Sequence, residues 1–193
     1  MKTPPEHLAA RLYDASAQIL RLDSEVKLDE VANTIGVPRA TLYYYFSGRD
    51  DLTEYLLTRH LEAGSEVFAP VLSGESTAGH KLRELLLAMT GFLAENPGVC
   101  GGLLSAMGSG IGMQEVMSAN ERAIAAPLRN LLIEGRESGE FNFDDPADTA
   151  NILLGAMLIA VLGRAVEGRS LADTGFYRSV ADQLVRTVTT TST

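Results

Sequence analysis

Tryptophan is absent from this chain of 193 residues, and cysteine occurs once, at Cys100. A single thiol excludes an intramolecular disulfide and suits a reducing compartment. Positive charge is scarce: 16 Lys and Arg stand against 25 Asp and Glu, a net charge of −9. That balance excludes a polycationic nucleic-acid coat. It does not exclude a local DNA-reading surface, because only the charge under the phosphates matters. The three histidines, His7, His60 and His80, lie far apart without metal-ligand spacing. No nucleophile motif occurs, and no glycine-rich loop follows a strand, so neither an enzyme nor a metal or cofactor is expected. The longest apolar run, Ile152–Gly163, has 12 residues, short of the ~20 that span a bilayer. Met1–Arg11 does not read as a secretory leader. These absences predict a soluble, cytoplasmic protein with no membrane partner. Hydrophobic residues make up 46% of the chain, enough for a sizeable core.

What is present is helical spacing. Leu8, Leu12, Ala15, Ile19 and Leu22 mark one face of a first helix. Leu28 to Ile35 form a second, with Gly36 where a left-handed cap is wanted. Pro38 is expected as the first residue of a third helix reaching Phe46. Ser47 with Asp50 then resembles a capping box, opening a fourth helix that runs from Arg49 towards Val71. The turn-forming stretch 72–79 (LSGESTAG) marks a seam. A fifth helix carries Leu82, Leu85, Leu86, Met89, Phe92 and Leu93 and stops before Pro97. Six glycines within Gly98–Gly112 predict a short, broken sixth helix acting as a flexible connection near a pocket mouth. Gln114–Ser138 reads as a long seventh helix, kinked near Ala123 by Pro127 and ended by Gly139. Asp145-Pro146 opens an eighth towards Gly168, and Phe176 to Thr189 form a ninth, with final threonines that fray. No strand-like alternation of useful length occurs. The expectation is an all-α protein of about nine helices: a three-helix helix-turn-helix module over 1–48 and a larger bundle over 49–193, joined by the fourth helix.

Ala32-x-x-x-Gly36-Val37 suits a helix-turn-helix: a small residue where the helices cross, a glycine for the turn, and Val31, Ile35, Val37 and Leu42 between them. The third helix then places Arg39, Thr41, Tyr43, Tyr44 and Tyr45 on one short segment. Thr41 and phenol hydroxyls can donate to phosphates, and Arg39 can reach guanine O6 and N7. Residues 38–49 hold two arginines and no acid. Tyr43 and Tyr44, at adjacent positions, cannot both face inward.

The run Val31-Ala32-x-x-x-Gly36-Val37-x-x-x-Thr41-Leu42-Tyr43-Tyr44-Tyr45-Phe46-x-x-Arg49-x-x-Leu52 resembles the signature of the TetR-type transcriptional repressors. Glu134-Gly135-Arg136-x-x-Gly139-Glu140-Phe141 also looks like a family string. The resemblance implies that Arg39 and Tyr43 approach base edges of double-stranded operator DNA. It implies that Thr41, Tyr44, Tyr45, Arg49 and Lys27 hold the DNA backbone. Pro38, Tyr45, Arg49 and Lys27 depart from the commonest residues of the pattern, which leaves the operator sequence open. A homodimer and a small-molecule effector follow from the same likeness.

The larger bundle contains adaptable side chains at Met89, Phe92, Met107, Met113, Met117 and Met157, which suit an apolar or amphipathic ligand. Asn120 and Asn151 could orient it. Residues 152–163 (ILLGAMLIAVLG) are apolar all round and need cover on every side. Gly155, Ala156, Ile159 and Gly163 share a face, and with Leu184 of the ninth helix they form the expected dimer contact. A small-molecule-binding or interaction protein whose helix-turn-helix no longer reads DNA is the alternative to a ligand-responsive repressor.

Overall fold

The computed structural model describes residues 2–20, 26–109 and 113–189. Leu22, Gly110–Gly112, the threonines from Thr190 onward and the side chains of Met107 and Met113 lie outside that description. The helices are α1 (Glu6–Asp14), α2 (Ser16–Ile19), α3 (Leu28–Thr34), α4 (Arg39–Tyr45), α5 (Arg49–Ser73), α6 (Ala78–Glu95), α7 (Pro97–Ser109), α8 (Met113–Asn120), α9 (Ala126–Glu137), α10 (Pro146–Val166) and α11 (Thr174–Val188). One π turn, Glu121–Ala125, precedes α9. No strand forms among the described residues; Phe141 and Thr189 make an isolated bridge. The fold is the expected all-α one, an N-terminal helix-turn-helix and a C-terminal helical domain. The count of eleven α-helices among the described residues reflects two expected helices that each divide.

The chain forms two compact units. One comprises Met1–His60 with Gly98–Ala119, the other Leu61–Pro97 with Asn120–Thr193. The boundary expected at residue 48 falls inside the first unit.

In the first unit, the stretch expected as one helix from Leu8 divides at Ala15. Leu8 and Leu12 are buried on α1 and Ile19 on α2. Helix α3 buries Leu28, Val31 and Ala32 and ends in a Schellman motif. Gly36 has φ +67°; its N–H donates to Asn33 O at 3.3 Å, and the Val37 N–H donates to Ala32 O at 2.9 Å. A side chain at Gly36 would strain this left-handed turn. Pro38 is the cap before α4, not its first residue. Its ψ of 138° is extended, and its carbonyl accepts the Thr41 N–H at 2.9 Å. The α5 cap also differs by one residue. The Ser47 N–H donates to Asp51 Oδ2 at 2.9 Å and its hydroxyl to the same oxygen, so Asp51, not Asp50, reaches back. These two bonds hold the Asp51 carboxyl below its usual range.

The glycine-rich stretch overturns the expectation of a broken connection, because Pro97–Ser109 is a 13-residue helix. The reason is tertiary. A Cβ on Gly98 would lie 3.2 Å from Ala17 Cα, and one on Gly102 would lie 3.0 Å from Leu57 Cδ2 and 3.1 Å from Leu20 Cδ2. Glycine lets α7 approach its neighbours, which offsets its poor helix propensity.

In the second unit, α6 packs against α9, α10 and α11. Its first amides are capped twice. Thr77 Oγ1 accepts from the His80 N–H at 3.3 Å. The Glu140 carboxylate accepts from Ala78 at 3.1 Å and Gly79 at 2.9 Å, and these bonds lower its pKa. The long seventh helix expected over Gln114–Ser138 divides at a π turn, Glu121–Ala125, just before Pro127, which stands in the first turn of α9. Gly139, at φ +80°, ends the turn after α9. Asp145 caps α10 by accepting from the Ala147 and Asp148 N–H groups at 2.8 and 2.9 Å. Asp173 caps α11, which begins at Thr174, earlier than expected. Helix α10 extends beyond the 12-residue apolar run: with 21 residues it is long and apolar enough to cross a membrane by length and composition, and little of it is buried within the chain.

Candidate nucleic-acid interface

Helices α3 and α4 pack together as the helix-turn-helix. Leu42 of α4 and Phe46 at its C-cap occupy the inward positions, both fully buried. Phe46 meets Tyr55 of α5 with ring centroids 5.5 Å apart, which fixes the orientation of α4. Its remaining surface therefore points outward. Tyr43 is 54% and Tyr44 60% exposed, so both adjacent phenols face solvent. Arg39 is exposed, while Thr41, Tyr45 and Arg49 are half-buried. Lys27 is exposed at the cap of α3. These seven residues present hydroxyls and cations from one compact module.

Two partners were not legible in the sequence. Arg39 NH1 donates to Asp29 Oδ2 at 2.8 Å, joining the first turn of α3 to the first residue of α4. Lys2 Nζ sits 3.6 Å from the centroid of the Tyr44 ring, and Tyr45 meets Tyr44 edge-on at 5.0 Å. Neither partner has a spacing signal, since residues ten or more apart meet only after the turn is made.

Other titratable groups of this unit are structural. His60 is 1% exposed, lies 2.9 Å from Ser16 Oγ through Nε2, and stacks on Tyr13 at 4.3 Å. Burial pushes its pKa down to about 4, so the ring is neutral near pH 7. Burial pushes the Cys100 thiol up to about 12, which removes it as a nucleophile. Among the described residues no group of three or more His, Cys, Asp and Glu could hold a metal. His80, at the start of α6, is exposed.

The residues expected around a ligand are distributed as follows. Met89 and Met157 are buried in the core of the second unit. Phe92 is half-buried and meets Phe68 edge-on at 5.8 Å. Asn120 is half-buried, and Asn151 is exposed. Met117 belongs to the first unit and is 48% exposed. Of the expected dimer residues, Gly155 and Ile159 are exposed, and Ala156, Gly163 and Leu184 are half-buried. Ile152, Ile159 and Val166 stand seven residues apart along α10 and are all exposed.

Residues 24–56 match the sequence profile of the bacterial regulatory proteins of the tetR family. No curated protein matches the sequence. Among solved structures, a tetR-family bacterial regulatory protein from Rhodococcus RHA1 superimposes with TM-score 0.81 at 12% identity, covering 97% of this chain and 100% of that one. The FadR transcriptional regulator of Bacillus subtilis, solved in complex with stearoyl-CoA, has TM-score 0.78 and 20% identity, with 92% and 97% covered. A TetR/AcrR-family regulator from Thermobifida fusca has TM-score 0.67 and 21% identity, with 94% and 96% covered. At these identities the structures speak for the fold. The chain thus carries the N-terminal helix-turn-helix of the tetR family of bacterial regulatory proteins, followed by a C-terminal helical domain with the fold of solved regulators of that family.

Proposed function

We propose that this chain is a DNA-binding transcriptional regulator, a repressor that a small apolar or amphipathic molecule releases from its operator. The outward face of α4 carries the reading: Arg39, Tyr43 and Tyr44 stand exposed on a helix whose other face is locked by Leu42 and Phe46. Arg39 and Tyr43 read base edges, while Lys27, Thr41, Tyr44, Tyr45 and Arg49 hold phosphates. Phosphate contacts set the register and base contacts specify. A homodimer completes the reading, since two recognition helices meet one duplex face only when a dimer spaces them by ~34–36 Å. The second copy covers the α10 face of Ile152, Gly155, Ala156, Ile159 and Gly163, with Leu184 beside it, so α10 serves as an interface helix of a cytoplasmic protein.

The effector site is centred on Met89, Phe92, Asn120 and Met157 of the second unit. Stearoyl-CoA, bound by the Bacillus subtilis FadR of similar fold, supports a long-chain acyl thioester as the first effector to try. Such a molecule can act only through different affinities for two conformations, a coupling of typically ~1–3 kcal/mol.

Selection from a randomised duplex pool tests the reading. One sequence should be enriched, its affinity falling linearly with the logarithm of salt concentration. Stearoyl-CoA should weaken that complex, and the duplex should weaken stearoyl-CoA binding by the same factor. A protein that enriches no sequence is not a DNA reader, and equal stearoyl-CoA affinity with and without duplex removes this effector.

A further inference from the structure

We infer that Asp29 is a positioning residue for base recognition, holding the Arg39 guanidinium so that the free part of its fork faces the base edge. The inference rests on the DNA-binding reading above. Arg39 is the first residue of α4, and its side chain is 61% exposed. An unheld arginine at such a site samples many rotamers, and it settles on a phosphate as readily as on a base. Asp29 removes that freedom. It lies in the first turn of α3, its side chain is 34% exposed, and its Oδ2 accepts from Arg39 NH1 at 2.8 Å. Because α3 and α4 pack together, both ends of the contact are fixed to the same framework. Guanidinium has five N–H donors in one plane, and a bidentate guanine contact needs two. The carboxylate can therefore share the fork with a base.

The placement of the charge makes the same point. Residues 38–49 carry no acid, and Asp29 brings a negative charge to the arginine that this stretch presents. A carboxylate beside a phosphate-binding face weakens binding to DNA of any sequence. Where Arg39 meets guanine, the held fork offsets that repulsion; where it meets another base, the repulsion remains. Asp29 thus widens the gap between right and wrong sequences, as repulsive elements do in specific interfaces. An exposed ion pair contributes little to folding stability, so the effect on recognition can be read separately from the fold.

The test uses the full chain and the duplex that the parent enriches from a randomised pool. Affinities are measured for that duplex, for each of its single-base-pair variants and for a scrambled duplex. The base pair read by Arg39 is the one whose preference Arg39→Ala loses. At that pair, Asp29→Ala is expected to cut the preference by about fivefold or more, out of the roughly 5–150-fold that a bidentate contact supplies. Scrambled duplex should bind as well or better, and the melting temperature should stay at the parent's value. In the Arg39→Ala background, Asp29→Ala should change the preference no further. An Asp29→Ala variant with the parent's preference at every position overturns the role of Asp29 alone. So does an equal loss with and without Arg39. A parent that enriches no sequence overturns the DNA reading and this inference together.

Discussion

Arg39 and Arg49 belong to one short basic stretch, yet their surroundings differ. Arg39 is exposed at the first position of α4 and held by Asp29, whereas Arg49 is half-buried where α5 begins. Arg39→Ala is expected to weaken the selected duplex by roughly 1–3 kcal/mol and relax choice at one base pair. Arg49→Ala should weaken all duplexes alike and flatten the salt slope by about one unit. Two variants that both bind selected and scrambled duplex like the parent would remove the recognition assignment. His60 sets a pH dependence of its own. Burial lowers its pKa from 6.5 to about 4 in the folded chain. Above pH 6.5 the ring is neutral in both states and contributes no pH dependence. Between pH 6.5 and 4 the unfolded chain takes up a proton that the folded chain refuses, so stability falls by up to about 3 kcal/mol. Urea unfolding across that window should show the loss, and His60→Gln should remove that part of the slope. A variant with the parent's slope would assign the loss to other groups.

At the scale of elements, two glycines contrast a local task with one set by tertiary contact. Gly36 was legible because its task is local: a left-handed turn closes α3 whatever lies beyond it. Gly135 reads in the sequence only as part of a family string. Its task appears once α9 meets the turn that follows it, where a Cβ would lie 2.0 Å from Phe141 Cδ2. Phe141 is 3% exposed, so its ring has little room to yield. Alanine in a helix is favoured over glycine by ~1 kcal/mol, but overpacking a filled site costs ~1–3 kcal/mol, and an overlap this deep should win. Gly135→Ala is therefore expected to lower the melting temperature; a rise would mean that Phe141 repacks freely. The α7 glycines were misread for the same reason. Four glycines in α7 lower local helix propensity, and nothing nearby in sequence says that Leu20 and Leu57 need the space.

For the whole molecule, the exposed face of α10 bears on assembly. Ile152, Ile159 and Val166 are 65%, 57% and 76% exposed, an apolar line that a second copy would bury. Because Ile159 is exposed within one chain, Ile159→Arg should leave the protomer folded while placing an unpaired charge in the proposed contact. Sedimentation is expected to find monomer, with helical content and melting of the protomer retained and binding to the selected duplex lost. A variant that remains a tight dimer would move the interface away from this face.

The sequence by itself determined the helical class and the helix-turn-helix. Those features follow from periodicity, caps and turn glycines acting within a few residues. Leu42 and Phe46, four apart, share the inner face, and Tyr44 between them falls on the opposite, exposed side. Tertiary structure alone decided that α7 is helical, that Asp51 and Glu140 provide the caps, and that Asp29 meets Arg39. Each of these depends on where a second segment lies in space. Local spacing carries no information about a partner that only folding brings near.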